Sequence, residues 1–295
     1  MIVIFGAGGQ VGQELACACS AQGVRYRAFS RAEVDIADPE AVAQALRRIG
    51  GAVAVNAAGY TNVDLAEADV LQATRCNVRG PSVLAEACAA AGVPLIHLST
   101  DYVFDGKAAA AYLENDATRP LSIYGQTKLD GEEAVQARQP EHVILRISWI
   151  FSAFGKNVLK TVLRLSRERD ELRFVADQRG CPTATADIAE AILAIAPRFA
   201  AREPIVGTYH FASDAATTWF DFVNHVVEAQ APFTGRRPRV IPITTNEYPT
   251  PARRPANSVL DSRLFARTFG LRARPWQDRV DEVVRRLLTA PAEAA

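Results

Sequence analysis

Short apolar runs alternate with longer helix-like segments along the first half of the chain. The predicted strands are residues 2–5, 24–29, 52–55, 94–98 and 143–147. The predicted helices between them are residues 10–22, 39–49, 64–91 and 122–138. Strands that are apolar throughout are typical of a parallel sheet that helices cover on both faces. The pattern therefore predicts an α/β fold built on a doubly wound parallel sheet of the Rossmann type.

The organisation of the chain changes near residue 150, where the alternation becomes less regular. The second half holds scattered helical segments and a stretch rich in Pro, Arg and Thr between residues 232 and 255. We therefore expect two domains, residues 1–150 and a smaller, partly interleaved C-terminal domain over residues 151–295. Residues of about 180–212 are expected to pack back onto the first domain.

Composition excludes several classes of protein. The 33 basic and 33 acidic side chains balance, which argues against a sequence-independent nucleic-acid binder or a protein held on anionic membranes. No apolar run approaches the roughly 18 residues that span a bilayer. The five cysteines show no pairing or metal-ligand spacing. We expect a cytoplasmic protein with reduced thiols, a monomer or homodimer without nucleic-acid or membrane partners.

A glycine-rich loop follows the first predicted strand in IVIFGAGGQVGQEL. Gly6, Gly9 and Gly12 allow a tight turn, close approach of backbone N–H groups to a pyrophosphate, and close packing of helix on strand. The helix N-terminus adds partial positive charge. The loop therefore predicts a dinucleotide site, which also includes Gln10 and Val11, against the alternative of a plain glycine-rich turn.

The end of the second strand bears on the choice of cofactor. An acidic residue here would bond the ribose 2′-hydroxyl of NAD, but Ser30 and Arg31 suit a 2′-phosphate instead. We expect NADPH and leave NADH open, with Asp35 and Ile36 near the adenine; a plain surface role for Arg31 is the alternative. The rest of the predicted cofactor set lies at the ends of the third and fourth strands: Asn56, Ala57, Ala58, Tyr60 and Ser99.

Hydroxyl groups end the fourth strand in STDYVFDG, at the edge where a doubly wound sheet binds its ligands. Downstream, Tyr124 and Lys128 are four residues apart on a predicted helix and share a face. A tyrosine has a pKa of about 10 and becomes a better acid beside an ammonium group. Together with the Thr100 hydroxyl, this pair predicts a nicotinamide-dependent carbonyl reductase. A plain helix contact is the competing interpretation.

The ordered set of motifs resembles the dTDP-4-dehydrorhamnose reductase family of extended short-chain dehydrogenases/reductases. The matching segments are FGAGGQVGQEL, VNAAGYTNVDLAE, STDYVFDG, YGQTKLDGE, LRISWIF, DQRGCPT, TTWFDF and YPTPARRPANSVL. The resemblance implies NADPH-dependent reduction of the 4-keto group of dTDP-4-dehydro-β-L-rhamnose, the last step of dTDP-L-rhamnose synthesis. It makes Tyr124 the general acid, Thr100 the group that orients the carbonyl, and Lys128 the residue that binds the nicotinamide ribose and tunes the tyrosine.

The same resemblance implies a nucleotide-sugar site and assigns residues 1–150 to NADP and residues 151–295 to the substrate. The implied substrate-binding residues are Thr100, Asp101, Tyr102, Trp149, Arg254 and Asn257. Two alternatives stay open. One is a related nucleotide-sugar 4-keto reductase or epimerase, and the other is a non-catalytic NADP-binding protein similar to the regulatory subunit of methionine adenosyltransferase.

The sequence departs from the family at one point. Some family members join two subunits through a magnesium ion held by glutamates. Glu14 fits the first ligand position, but no carboxylate follows Thr183 until Asp187, and the C-terminus offers only Glu293. We therefore expect neither a structural nor a catalytic metal.

Overall fold

The protein alternates strands with helices in the computed structural model, which describes residues 1–47 and 53–289. The strands are β1 (Ile2–Phe5), β2 (Tyr26–Phe29), β3 (Val53–Asn56), β4 (Leu95–Thr100), β5 (His142–Ile147), β6 (Ile150–Phe151), β7 (Glu171–Val175), β8 (Arg179–Gly180), β9 (Thr183–Ala184), β10 (Gly207–His210), β11 (Thr217–Thr218) and β12 (Arg239–Ile243). The helices are α1 (Gln10–Ala21), α2 (Pro39–Leu46), α3 (Val63–Ala66), α4 (Val70–Thr74), α5 (Gly80–Ala91), α6 (Ile123–Arg138), α7 (Val158–Glu168), α8 (Thr185–Ala200), α9 (Trp219–Thr234), α10 (Arg263–Phe269) and α11 (Trp276–Thr289).

Six parallel strands form the central sheet in the order β10-β5-β4-β3-β1-β2. The strands β1, β3, β4 and β5 are buried along their whole length, as expected for a sheet covered by helices. The chain reverses its direction of travel across the sheet between β1 and β3, which opens a crevice at the carboxyl ends of the strands. The α/β doubly wound fold predicted from the sequence is confirmed.

The outermost strand of the sheet comes from late in the chain. β10 pairs with β5 from Gly207 opposite Val143 to His210 opposite Arg146. The preceding helix α8 packs its apolar face into the same core as α1. Part of the segment 180–212 therefore completes the sheet layer. The division of function between residues 1–150 and 151–295 stays a prediction.

A second core lies beside the sheet and joins three helices of the later chain. Its buried side chains come from α7, α9 and α11: Leu159, Val162, Leu163, Phe222, Val223, Val226, Val227, Trp276, Val280 and Val284. The parallel pair β7 and β12 contributes Leu172 and packs against it. This layer faces the carboxyl ends of the central strands through β6, β9 and the start of α9.

The predicted helix over residues 64–91 is wrong as one continuous element. It is broken into α3 and α4, a π-helical turn at Arg75–Arg79, and α5. The wide turn carries the Asn77 side chain inward, where its amide bonds both backbone groups of Tyr60 and the hydroxyl of Thr127. A π turn is a common way to aim one side chain at a functional region, and periodicity alone does not reveal it.

Several boundaries differ slightly from the sequence prediction. Strand β2 begins at Tyr26 rather than at residue 24, and α2 ends at Leu46. The predicted end of the helix at residue 49 and the predicted start of the third strand at residue 52 lie outside the described residues. All five cysteines are free thiols. No helix within 1–47 and 53–289 has the length and apolar character needed to cross a bilayer.

Candidate active site

A cavity of about 560 Å³ runs along the carboxyl ends of the central strands. It begins at the glycine loop, passes the ends of β3 and β4, and reaches the first turns of α6, α7 and α9. It brings together most residues singled out in the sequence: Gly6, Gly9, Gln10, Val11, Arg31, Asp35, Ile36, Ala57, Ala58, Ser99, Thr100, Asp101, Tyr102, Tyr124, Lys128 and Trp149. Residues predicted separately from four strands thus share one site.

The glycine loop forms a cradle that no larger side chain could occupy. Gly6 has a positive φ of 91°, and a Cβ atom there would lie 2.6 Å from the backbone nitrogen of Ala58. A Cβ atom on Gly12 would lie 2.2 Å from the Gly6 carbonyl oxygen. Gly12 therefore lets α1 pack against the turn, although it does not itself line the cavity. The loop leaves backbone groups and the N-terminus of α1 facing the cavity, which is the arrangement that binds a pyrophosphate.

Arg31 and Ser30 differ in what they offer to a cofactor. The Ser30 hydroxyl and backbone N–H both donate to Glu33 at 2.8 Å, so this hydroxyl is engaged away from the cavity. The Arg31 side chain is 63% exposed and lies only loosely, at 4.0 Å, from Asp35. Asp35 is held instead by Arg75 at 2.8 Å. Of the two predicted 2′-phosphate ligands, Arg31 alone faces the cavity with a charge available.

Tyr124 and Lys128 both reach the cavity from α6. The hydroxyl of Ser122 caps this helix by accepting from the Gly125 N–H, which places Tyr124 in the first turn beside the end of β4. The Thr100 hydroxyl lies close enough to the Tyr124 hydroxyl to lower the pKa of the phenol. Lys128 Nζ donates to the backbone oxygen of Leu98 at 2.6 Å. The helix therefore presents the two groups to the same strand end.

Burial shifts the pKa values of both Tyr124 and Lys128. Burial raises the pKa of Tyr124 to about 12, against the hydrogen bond from Thr100, which lowers it. Burial also lowers the pKa of Lys128 to about 8, while Glu132 acts in the opposite direction. Burial therefore outweighs the hydrogen bond at Tyr124, and the effect of the Lys128 ammonium on the tyrosine pKa stays a prediction. Near neutral pH the site holds a neutral phenol and an ammonium group.

Asp101 occupies the position directly behind Thr100 and is 2% exposed. Its carboxyl oxygens accept from the hydroxyls of Thr100 at 3.1 Å and Ser148 at 2.9 Å, and the Ser258 hydroxyl lies near it. Burial raises the pKa of Asp101 to about 6, against the three hydroxyl bonds, which lower it. Its neighbour Tyr102 packs edge-on against the Tyr124 ring, with centroids 5.6 Å apart.

Trp149 forms one wall of the cavity in a strained backbone conformation. It has a φ of 45°, unusual for a bulky residue. Its ring stacks on Trp219, with centroids 3.7 Å apart and planes within 3°. Gly180 lies beneath the ring, where a Cβ atom would come within 2.2 Å of Trp149 Cε2. The start of α9 and strand β8 therefore hold this indole in place.

Five predicted ligand residues besides Gly12 do not line the cavity: Ser30, Asn56, Tyr60, Arg254 and Asn257. The Asn56 side chain, fully buried, bonds His97 Nδ1 and the Ala58 N–H, and Tyr60 is fixed by Asn77. These two residues shape the strand end rather than present polar groups to a ligand.

The two predicted substrate ligands from the C-terminal segment are also occupied. Arg254 makes a two-point ion pair with Asp64 at 3.0 and 2.8 Å. The Asn257 amide donates to the carbonyl oxygens of Ala108 and Ala110, and its oxygen accepts from Val259. Both amide protons of Asn257 are therefore used within the protein, where the side chain anchors a loop.

Sequence reasoning missed several residues of the cavity wall. The lining side chains that were not singled out are Val34, Thr61, Val63, Cys76, Leu98, Ile147, Ile150, Lys156, Asn157, Val158 and Trp219. Lys156 could have been identified as a candidate site residue from the sequence, because lysine is rare in this chain, which has only four. Asn157 bonds Gln10 at 3.0 Å and so ties the loop before α7 to the start of α1. Nothing local in the sequence indicates this long-range contact.

The surroundings of Glu14 do not suit a magnesium ion. Its carboxylate accepts from the hydroxyls of Ser152 and Thr185, and Arg286 lies 3.6 Å away. Asp187 is paired with Arg279, and Glu293 lies outside the described residues. Within the described ranges no group of three or more His, Cys, Asp or Glu side chains could hold a metal.

Comparisons with a family model and with known proteins point to the same family. The family model described as "RmlD substrate binding domain" matches residues 1–289. A dTDP-4-dehydrorhamnose reductase from Sinorhizobium fredii is 41% identical over 298 residues, which is 99% of each chain.

Two solved structures agree with this assignment. A dTDP-4-dehydrorhamnose reductase structure from Clostridium acetobutylicum is 34% identical, with a TM-score of 0.88 over 97% of this chain and 99% of that one. One from Bacillus anthracis, in complex with NADP, is 30% identical, with a TM-score of 0.88 over 96% and 97% of the two chains. The resemblance carried by the sequence motifs is confirmed. The chain belongs to the RmlD family of dTDP-4-dehydrorhamnose reductases.

Proposed function

We propose that the protein is an oxidoreductase that reduces the 4-keto group of dTDP-4-dehydro-β-L-rhamnose with NADPH. The product is dTDP-L-rhamnose, and the reaction is the last step of its synthesis. One observation carries the proposal: the hydroxyls of Tyr124 and Thr100 line the same cavity as the glycine loop, together with Lys128. Family membership supplies the substrate, which the cavity alone does not specify.

The residues of the cavity fit a nicotinamide dinucleotide. The Gly6 turn has no room for a Cβ atom, and the exposed backbone behind it suits a diphosphate. The Ser99 hydroxyl, 3% exposed, has no hydrogen-bond partner within the described ranges and lines the cavity beside Lys128. Arg31 suits a 2′-phosphate. When bound, NADPH supplies the hydride, and NADH remains a second candidate.

The protein's own groups handle the proton and the geometry. Tyr124 donates its phenolic proton to the oxygen that becomes the new hydroxyl, while the Thr100 hydroxyl orients the same oxygen. The Lys128 ammonium stabilises the phenolate that Tyr124 leaves behind. Trp149 and Trp219 close one side of the cavity with apolar surface and restrict water there.

The same proposal extends to the surroundings of the site. The dinucleotide is held by residues 1–150 with help from the segment 180–212, and the nucleotide sugar by residues 151–295. Asp101, Tyr102 and Trp149 contribute to the substrate wall, and Arg254 reaches substrate only if it exchanges its bond with Asp64. The protein works in the cytoplasm as a monomer or homodimer, which fits its free thiols.

The test uses the 4-keto-rhamnose nucleotide, generated in situ, and follows the loss of NADPH absorbance. Wild type should oxidise NADPH, and Tyr124→Phe should lower kcat by roughly 10²- to 10⁴-fold while NADPH binding is kept. Tyr26→Phe, on the exposed side of β2, serves as the matched control. Turnover of only another keto sugar would indicate a related reductase or epimerase. NADPH binding without any turnover would indicate a regulatory protein.

A further inference from the structure

A buried carboxyl group without a cation lies directly behind the proposed reacting centre. Asp101 is 2% exposed and is surrounded by hydroxyls from three separate segments. Thr100 comes from the end of β4, Ser148 follows β5, and Ser258 belongs to the C-terminal segment. The proposed mechanism gives Asp101 no chemical task, although a buried charge is costly to keep.

The groups that face Asp101 supply no counter-charge. The titratable side chains nearest to it are Tyr102 on its own segment, Tyr124 on α6 and Cys181 after β8. Burial raises the pKa of each, so all three are neutral near pH 7. In the part of the chain that the structure describes, no lysine or arginine pairs with Asp101. The surroundings therefore raise the pKa of Asp101, and the carboxyl group is an uncharged acid below about pH 6.

The hydrogen bonds of Thr100 connect this acid to the reacting centre. A hydroxyl has one proton to donate and two lone pairs that accept. The Thr100 oxygen already accepts from the Tyr102 N–H at 3.2 Å. If Asp101 is ionised, the single Thr100 proton points at the carboxylate at 3.1 Å and cannot reach a carbonyl oxygen. If Asp101 is protonated, its own O–H fills the second lone pair, and the Thr100 proton is free to turn outward.

We propose that Asp101 is a positioning residue that, as a carboxylic acid, donates to Thr100 and turns the Thr100 hydroxyl proton toward Tyr124 and the reacting oxygen. This inference rests on the proposed function, since it concerns the donor that Thr100 offers to the keto group. Asp101 itself need not touch the substrate. The Ser148 hydroxyl donates to the second carboxyl oxygen, Oδ2, at 2.9 Å, which leaves Oδ1 to carry the acid proton toward Thr100.

The decisive variant is Asp101→Asn, because an amide can donate to Thr100 at every pH. The wild-type kcat should fall as pH rises through about 6, where the acid ionises. Asp101→Asn should remove this fall, whereas Asp101→Ala should lower kcat roughly 10- to 100-fold at all pH values. NADPH binding and the Tm of each variant provide the folding control. A purely structural role would leave the pH profile of Asp101→Asn equal to that of wild type.

A double-mutant comparison tests the route through Thr100. In a Thr100→Val background the donor is gone, so Asp101→Ala should cause no further loss of kcat. Independent losses that add together would overturn the inference. So would an inactive Asp101→Asn protein that still folds and binds NADPH, because that result would require the ionised carboxylate.

One readout does not depend on turnover. The infrared difference spectrum between wild type and Asp101→Asn should show a carboxylic-acid C=O band that disappears as pH rises through about 6. Absence of this band at low pH would overturn the inference directly. If the band is present and wild type reduces no 4-keto sugar, the proposed function fails while the protonation of Asp101 stands. The two failures are therefore distinguishable.

Discussion

Arg146 and Glu132 form an ion pair inside the protein, with Arg146 Nη2 2.7 Å from Glu132 Oε2 and side chains only 5% and 1% exposed. The pair joins the end of β5 to α6, one helical turn beyond Lys128. The Arg146 guanidinium also faces His210 of β10 and the Phe104 ring. One buried contact thus ties the helix that carries the reacting groups to β5 and to the edge strand β10 beside it.

Neutralising one partner of this pair should be costly. We expect Glu132→Gln to lower the free energy of unfolding by about 3–5 kcal/mol, because it leaves a buried guanidinium uncompensated. Glu133→Gln, the exposed neighbour on the same helix, should change it by less than about 0.5 kcal/mol. Urea denaturation of both variants measures the difference. Equal stabilities would mean that the pair does not hold α6.

Arg31 should determine the preference for the phosphorylated cofactor. Loss of a charge-assisted bond to a 2′-phosphate costs about 1.5–3 kcal/mol, so Arg31→Ala should weaken NADPH binding roughly 10- to 100-fold. NADH binding should be nearly unchanged. Arg27→Ala, on the strand β2 that precedes Arg31, is the control. Fluorescence titration with both cofactors checks this, and an equal loss for NADH would speak against a phosphate contact.

Added bulk at Gly180 should displace Trp149. The new methyl group of Gly180→Ala would meet the indole at 2.2 Å, and overpacking of this kind costs about 1–3 kcal/mol. We expect a lower Tm and a shifted tryptophan emission spectrum. A smaller ring should relieve the clash, so the double variant Gly180→Ala, Trp149→Phe should recover much of the Tm. If it does not, the strain lies elsewhere.

The activity should decline at alkaline pH because the Lys128 ammonium group loses its proton. Burial lowers its pKa to about 8, so the ammonium is lost as pH rises through that value in the free enzyme. The kcat/KM for NADPH should therefore decline above about pH 8. Lys128→Arg keeps its charge and should move this decline to higher pH, even if its activity is lower throughout. An unshifted profile would assign the decline to another group.

Asp101 should also affect stability in a pH-dependent way. Its pKa is raised on folding from 3.8 to about 6, so the folded protein holds the proton more tightly than the unfolded chain. Stability from this group is present at low pH and is lost as pH rises between those values, by about 3 kcal/mol. Asp101→Asn should remove this loss. Unfolding measured at pH 4 and pH 7 for both proteins gives the comparison.

The sequence predicted the features that follow from local residue patterns and the position of the site at the carboxyl edge of the sheet. Buried strands, the glycine loop and the spacing of Tyr124 and Lys128 each follow from short-range rules, and the carboxyl ends of parallel strands must meet. The cavity confirms that these residues share one site. Their individual roles in binding and chemistry stay predictions.

What the sequence could not provide depends on contacts between distant segments. Asn257 resembled a substrate ligand, yet its amide is used by the carbonyls of the 108–110 loop. The Asp64 carboxylate that occupies Arg254 lies far away in the chain. Trp219 stood inside a quoted motif, but only the fold shows that it stacks on Trp149. In each case a group from a distant segment determines which contact the side chain makes. The local sequence pattern holds no information about that distant group.

Strand β10 is translated long after its neighbour β5, and this delay affects folding during protein synthesis. While the ribosome is still translating the residues between β5 and β10, the edge of β5 that β10 covers has no neighbour. The emerging chain then exposes a template for wrong strand pairing. A fragment ending near residue 150 would keep that open edge permanently, so splitting the gene there should give aggregating halves rather than two independent modules.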